Sequence, residues 1–352
     1  MIGNRLSGPS RVRPGRVYLL LALAGAFVGG LRTGWACDVC AIYTGTEMRE
    51  SRLGLYAGMA EQYTIYGTLQ DNGHEVPNPA GERLNSFITQ FVAGYTFTPW
   101  LAAQANLPII GREYRRQEAN GVVDGDESGL GDLSLLALAV PFSDVTENTV
   151  IRWSLTAGLK LPTGNSRRLK EEVPSSSSNP DDPFNGHPPP RAIKYHNTGP
   201  TSVPSGIHGH DLALGSGSTD FVLGTQFFSS WRRAYVSGTV GYVVRTEGSF
   251  GYEYANDLTW IGGPGVFAVL EHDFTLGLQA AISGESKGND DLKGVAQTDT
   301  ARTGVYVGPQ LQFTWGTSLG ADLGLDVSVV QNNSGLQAVP DYRFRGGFTW
   351  RF

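Results

Sequence analysis

The chain has 352 residues, a formal net charge of −6 and only two cysteines. The mild acidity gives no drive toward nucleic acid, and no segment after residue 31 is a continuous apolar run of helix-spanning length. Forty-seven glycines and fourteen tyrosines beside a near-neutral mean hydropathy suit a membrane β-barrel, in which every second residue of a strand is polar.

At the N-terminus, Arg5, Arg11, Arg13 and Arg16 precede an apolar run from Val17 to Leu31, followed by Gly34-Trp35-Ala36. A basic start, a run of about 15 residues and small residues before a cut read as a secretory signal peptide, cleaved before Cys37. The run is short of the roughly 20 residues that span a membrane, which disfavours an uncleaved anchor. The expected organisation is a signal peptide over 1–36, a periplasmic segment over 37–51 and an outer-membrane barrel over 52–352.

Cys37 and Cys40 form a CxxC at the start of the mature chain, in an oxidising compartment. Position 41 is Ala41, so covalent haem attachment is not supported. Two thiolates supply half of a four-ligand zinc site. The pair reads as a disulfide or a redox pair, with contact to a periplasmic partner and lipidation of Cys37 as alternatives; Gly34 stands where a lipidation signal needs a branched apolar residue.

Twelve candidate strands follow. The first, about Arg52–Tyr66, carries Leu53, Leu55, Ala57 and Met59 on one face. The second, Ser86–Phe97, alternates outward Phe87, Phe91, Tyr95 and Phe97 with inward Ser86, Gln90 and Thr96. The third is Leu101–Arg112. The fourth, Gly129–Pro141, is ambiguous, because Leu133 and Leu135 oppose Leu136 and Leu138. The fifth, Val150–Leu161, sets Trp153, Leu155 and Leu159 against Arg152, Ser154, Thr156 and Lys160. Thr219–Ser229, Ala234–Thr246, Thr259–Leu270, Leu276–Gly284, Thr303–Trp315 and Leu319–Val330 supply the sixth to eleventh. The last, Tyr342–Phe352, puts Tyr342, Phe344, Phe348, Trp350 and Phe352 on one face and Arg343, Arg345, Thr349 and Arg351 on the other. Such a terminal aromatic strand resembles the sorting strand of bacterial outer-membrane barrels.

Connections after even strands are short; those after odd strands read as long and polar, including Glu113–Ser128, Gln331–Asp341 and above all Pro162–Ser218. Short turns alternating with long loops belong to transmembrane barrels rather than to soluble sandwiches. The longest loop holds Ser175–Ser178, Pro188-Pro189-Pro190 and His187, His196, His208 and His210. Its composition reads as mobile and exposed, and whether part of it turns inward as a plug is left open. Imidazoles suit transition metals, but histidines on such a loop give no metal assignment.

Three stretches, Gly129-Leu130-Gly131-Asp132-Leu133, Leu161-Pro162-Thr163-Gly164 and Leu214-Gly215-Ser216-Gly217-Ser218-Thr219-Asp220, occur in an order that resembles an outer-membrane family named for the meta-cleavage pathway of phenol degradation. The resemblance covers about Arg52 to Phe352. It implies a barrel of about twelve strands, passage of small aromatic or hydrophobic molecules, and no catalytic residues. Taken as residues alone, the motifs are turn chemistry: glycines for close approach, Pro162 ending a strand, Asp132 and Asp220 bonding neighbouring amides.

Expected lumen-lining and selectivity residues are Arg152, Lys160, Arg245, Asp322, Asp326, Arg343, Arg345 and Arg351, with the last-strand arginines favouring anions. No strand-borne histidine and no nucleophile elbow support an enzyme. The expected function is a channel for small molecules, without a cofactor, partnered by membrane lipid and the barrel-assembly machinery and by no nucleic acid. The alternative is a scaffold barrel whose CxxC segment docks a periplasmic partner.

Overall fold

The structure, a computed structural model, describes residues 53–173 and 204–352. The expected signal peptide, the expected periplasmic segment with Cys37 and Cys40, and His187 and His196 lie outside the described residues.

Twelve antiparallel strands close on themselves: β1 (Gly54–Asp71), β2 (Arg83–Thr98), β3 (Leu101–Glu118), β4 (Leu133–Val145), β5 (Thr149–Leu161), β6 (Asp220–Trp231), β7 (Ala234–Val244), β8 (Asp257–Leu270), β9 (Phe274–Lys287), β10 (Arg302–Trp315), β11 (Leu319–Asn333) and β12 (Leu336–Arg351). Each pairs with its sequence neighbours, and β12 closes the wall on β1 from Tyr56↔Arg351 to Asp71↔Leu336. Closure removes every unpaired edge, the condition for a sheet to sit in lipid. Among the described residues, no helix is long and apolar enough to cross a membrane.

The period-two pattern sets the two faces. Tyr342, Phe344, Phe348, Trp350 and Phe352 are 42–64 % exposed on the outside of β12, while Arg343 and Thr349 are buried inside. Tyr63 stacks on Phe87 at 4.4 Å and on Phe344 at 6.3 Å, so one outward aromatic row crosses the β12–β1 seam. Phe97, Trp100, Trp231, Trp315 and Trp350 are exposed beside the short turns, a girdle of the kind found at one membrane interface. At Gly308 the strands approach so closely that a Cβ would collide with the Leu325 carbonyl oxygen.

Four expectations change. The segment expected to open the fourth strand splits: Gly121–Leu130 runs back antiparallel on an extended β3, from Glu118↔Gly121 to Ile109↔Leu130, and β4 begins at Leu133. Glu113–Ser128 is therefore largely a hairpin rather than a loop. It is polar on both sides because it stands beyond the apolar belt, and paired backbone there leaves no hydropathy signal. Gln331–Asp341 is likewise a tight turn at Ser334-Gly335 between lengthened β11 and β12, with Gly335 at φ 64°. The ambiguous β4 resolves with Leu136 and Leu138 inward, 4–5 % exposed, and Leu135 outward at 46 %; the inward pair packs on Ala102 and Val222.

The fourth change concerns the long connection between β5 and β6. Its residues 205–218 are buried or half-buried rather than exposed. Ile207, Leu212 and Leu214 are 0–1 % exposed, and residues 204–218 turn into the mouth of the barrel. Ile207 and Leu212 pack on Tyr66, Leu69, Leu84, Tyr114 and Ala338 from four strands, and Leu214 packs on Ile88 and Ile110. A segment rich in Ser, Gly and His is buried because strand side chains already supply an apolar collar and polar partners.

Candidate functional site

Below this plug the lumen is lined by side chains that alternate with the lipid-facing ones. Gln90, Gln104, Asn106, Gln279, Gln310 and Gln312 are buried, 2–8 % exposed. They bond to one another, Gln104 to Asn106 at 2.6 Å and Gln312 to Gln279 at 3.2 Å. Gln90, Gln279, Gln310 and Gln312 line a cavity of about 260 Å³. A barrel of this strand number falls between filled eight-stranded barrels and open sixteen-stranded porins, and the cavity shows that filling is incomplete.

Of the residues singled out for the lumen, Arg152, Asp322, Arg343 and Arg345 line this cavity. Arg343 and Arg345 of β12 do not present free charge. Arg343 bonds Glu285 of β9 at 2.7 Å and lies 4.2 Å over the ring of Tyr306, whose hydroxyl donates to the same Glu285 at 2.9 Å. Arg345 makes two bonds to Asp326 of β11, at 2.8 and 2.9 Å. Its partner is Asp326, which is fully buried. Arg152 differs. Among the described residues no carboxylate forms an ion pair with it, and the cation facing it is Arg351. Arg351 is partly exposed at the short-turn end. Phe228 is the register neighbour of Arg152, and with Val150 and Val222 it gives the cavity an apolar side.

Lys160 and Arg245 stand outside the cavity, at the root of the plug. Lys160 bridges Asp132 and Asp220, each at 3.0 Å, and all three are buried. Arg245 bonds Asp220 at 2.7 Å through Nη1 and Asp257 at 2.7 Å through Nε. Asp132 accepts from the Gly164 amide and from the amide and hydroxyl of Ser216, all at 2.9 Å. Ser218 donates to Asp220 at 2.7 Å, and the Thr163 hydroxyl donates to the Gly131 carbonyl at 2.9 Å while accepting from the Leu133 amide at 2.8 Å. The three glycine-containing motifs thus meet in one buried network. Their aspartates do more than cap their own turns: they join residues far apart in sequence and anchor the plug to the wall. Sequence reasoning noted the motifs, but nothing local in them shows that Asp132 reaches Ser216.

The plug also carries His208 and His210, both 3 % exposed, in contrast to the exposed loop the composition suggested. Burial, together with the neighbouring His210, pushes the His208 imidazolium below its usual range. Burial also opposes charge on His210, but the Asp211 and Glu172 carboxylates outweigh it and hold that ring above its usual range. His74 is exposed, and His272 lies exposed in a short turn.

No family model matches the chain, and no curated protein matches it. Among solved structures, the chain is similar to the COG4313 outer membrane channel from Pseudomonas putida F1, with a TM-score of 0.58 and 15 % identity over 88 % of this chain and 100 % of that one. The fold is that of an outer-membrane barrel. The β domain of the Bordetella autotransporter BrkA, at a TM-score of 0.39 and 9 % identity over 86 % of this chain and 100 % of that one, overlaps too loosely to bear on it. The same holds for the translocator domain of NalP from Neisseria meningitidis, at 0.37 and 13 % over 96 % of each chain.

Proposed function

We propose that this chain is an outer-membrane channel for small organic anions, held narrow at its long-loop end by residues 204–218. The observation that carries the proposal is the cavity itself: a closed barrel retains unfilled space walled by amides, hydroxyls and apolar side chains, with Arg152 and the Phe228 ring side by side on its wall. A cation with no carboxylate partner beside an apolar surface suits a solute that is part aromatic and part anionic. The order of the three motifs supports placement with the phenol-pathway family, whose implied aromatic cargo agrees with this wall. The solved channel from Pseudomonas putida supports a conducting role by likeness of fold alone. The scaffold reading rests only on Cys37 and Cys40.

The test is single-channel recording of the refolded chain in planar bilayers. The expected result is small ohmic steps with anion preference that fall when benzoate is added at millimolar concentration. A protein that is folded and inserted yet conducts nothing, even after the plug anchor Asp132 is replaced, would overturn the channel reading.

A further inference from the structure

Three side chains on the plug have no place in this account of permeation. Among the described residues, His208, His210 and Asp211 bring one ligand atom each to within 4.8 Å of the others. We propose that they form a binding site for one divalent transition-metal ion of the zinc, nickel or copper class.

The distances suit ligands that share an ion. His210 Nε2 stands 3.6 Å from Asp211 Oδ1, and His208 Nδ1 stands 3.7 Å from Asp211 Oδ2. Both are longer than a charge-assisted hydrogen bond of about 2.7–2.9 Å. Two ligands at bonds of about 2.0–2.1 Å in a tetrahedral site lie roughly 3.4 Å apart, so small adjustments bring all three onto one ion.

The support around the ligands follows the pattern of metal-bound histidines. His210 uses its other ring nitrogen, Nδ1, on Glu172 Oε1 at 3.0 Å, which leaves Nε2 as the ligand. The His210 amide bonds the same carboxylate at 2.9 Å, and the His210 carbonyl accepts from Tyr254 at 2.9 Å. The ring packs parallel to Tyr252 at 6.1 Å. Held from three sides, His210 loses little freedom on binding an ion. Asp211 retains a quarter of its side-chain exposure while both rings are buried, which gives an ion a way in from the mouth.

The surrounding charge also permits a cation. Asp299 faces His208, and Glu172 and Asp211 face His210. Of the cations that reach these groups, Lys287 is held by Asp290 at 2.8 Å and Arg302 is paired with Glu285 at 3.5 Å. Two imidazoles and a carboxylate favour zinc, copper or nickel over calcium or magnesium. Three protein ligands leave a fourth position for water or for an anionic group.

The test is calorimetric titration of zinc and nickel chlorides into the refolded chain carrying Cys37→Ser and Cys40→Ser, so that no thiolate competes. One ion per chain is expected. His208→Gln, His210→Gln and Asp211→Asn should each weaken binding more than about tenfold, and Glu172→Gln by about tenfold. Histidine replacement at 187 and 196 together should leave binding intact. Heat-modifiable gel migration checks that each variant is folded, and X-ray absorption of the zinc-loaded parent chain should show two imidazoles whether or not a variant folds. Absence of binding at micromolar ion would overturn the proposal. So would binding that survives His210→Gln or disappears with His187 and His196, or a first shell without two imidazoles.

Discussion

Asp132, just before β4, accepts both the amide and the hydroxyl of Ser216 at 2.9 Å, joining the barrel wall to a residue 84 positions later. The same carboxylate holds Lys160 and the Gly164 amide, so one side chain fastens both described ends of the long loop.

Replacing Asp132 should therefore loosen the plug rather than the barrel. Asp132→Asn weakens a buried pair, and because Lys160 keeps Asp220 the cost should fall below the roughly 3–5 kcal/mol typical of stranding a buried charge. Bilayer recordings are expected to show larger or more frequent openings, while heat-modifiable migration still reports a closed barrel. Unchanged conductance would mean that the anchor does not control the mouth.

Glu285 neutralises Arg343 and also lies 3.5 Å from Arg302. Glu285→Gln leaves both guanidinium groups without that charge. Anion preference, read as the reversal potential in a salt gradient, should rise severalfold, and folding should suffer because a buried charge loses its partner.

Arg152 should matter in the opposite sense. Arg152→Gln removes a cation that has no carboxylate in an ion pair with it, so folding stability should hold or improve through relief of the facing Arg351 charge. Anion preference should drop, and benzoate should block less well. If both properties are unchanged, the solute passes elsewhere.

A pH effect belongs to Asp290, beyond the end of β9. Burial alone would push this carboxyl up, but the Lys287 ammonium beside it outweighs burial and holds it below its usual range. The folded pKa is lower than the unfolded one, so the stabilisation is present above the ordinary carboxylate pKa of about 3.9 and is lost as pH falls below it. Acid titration below about pH 4 should loosen the contacts of Asp290 with Tyr252 and Ala255, seen as a fluorescence change that Asp290→Asn shows at every pH.

The sequence by itself determined the barrel: strand number, which face of most strands meets lipid, with β4 the exception, and the end at which the turns are short. Those follow from a period-two pattern that lipid and lumen impose on every strand, legible in Trp153 against Arg152 or Phe344 against Arg343. Where both faces are polar, as at residues 124–128 and at Gln331-Asn332-Asn333 at the end of β11, that pattern vanishes and paired backbone reads as loop. Only the tertiary structure decided that Arg343 and Arg345 are neutralised, that Lys160 and Arg245 brace the plug instead of lining the cavity, and that His208 and His210 are buried. Each of these depends on contacts between strands or loops distant in sequence, and the energy of such a contact resides in the pair, not in either residue.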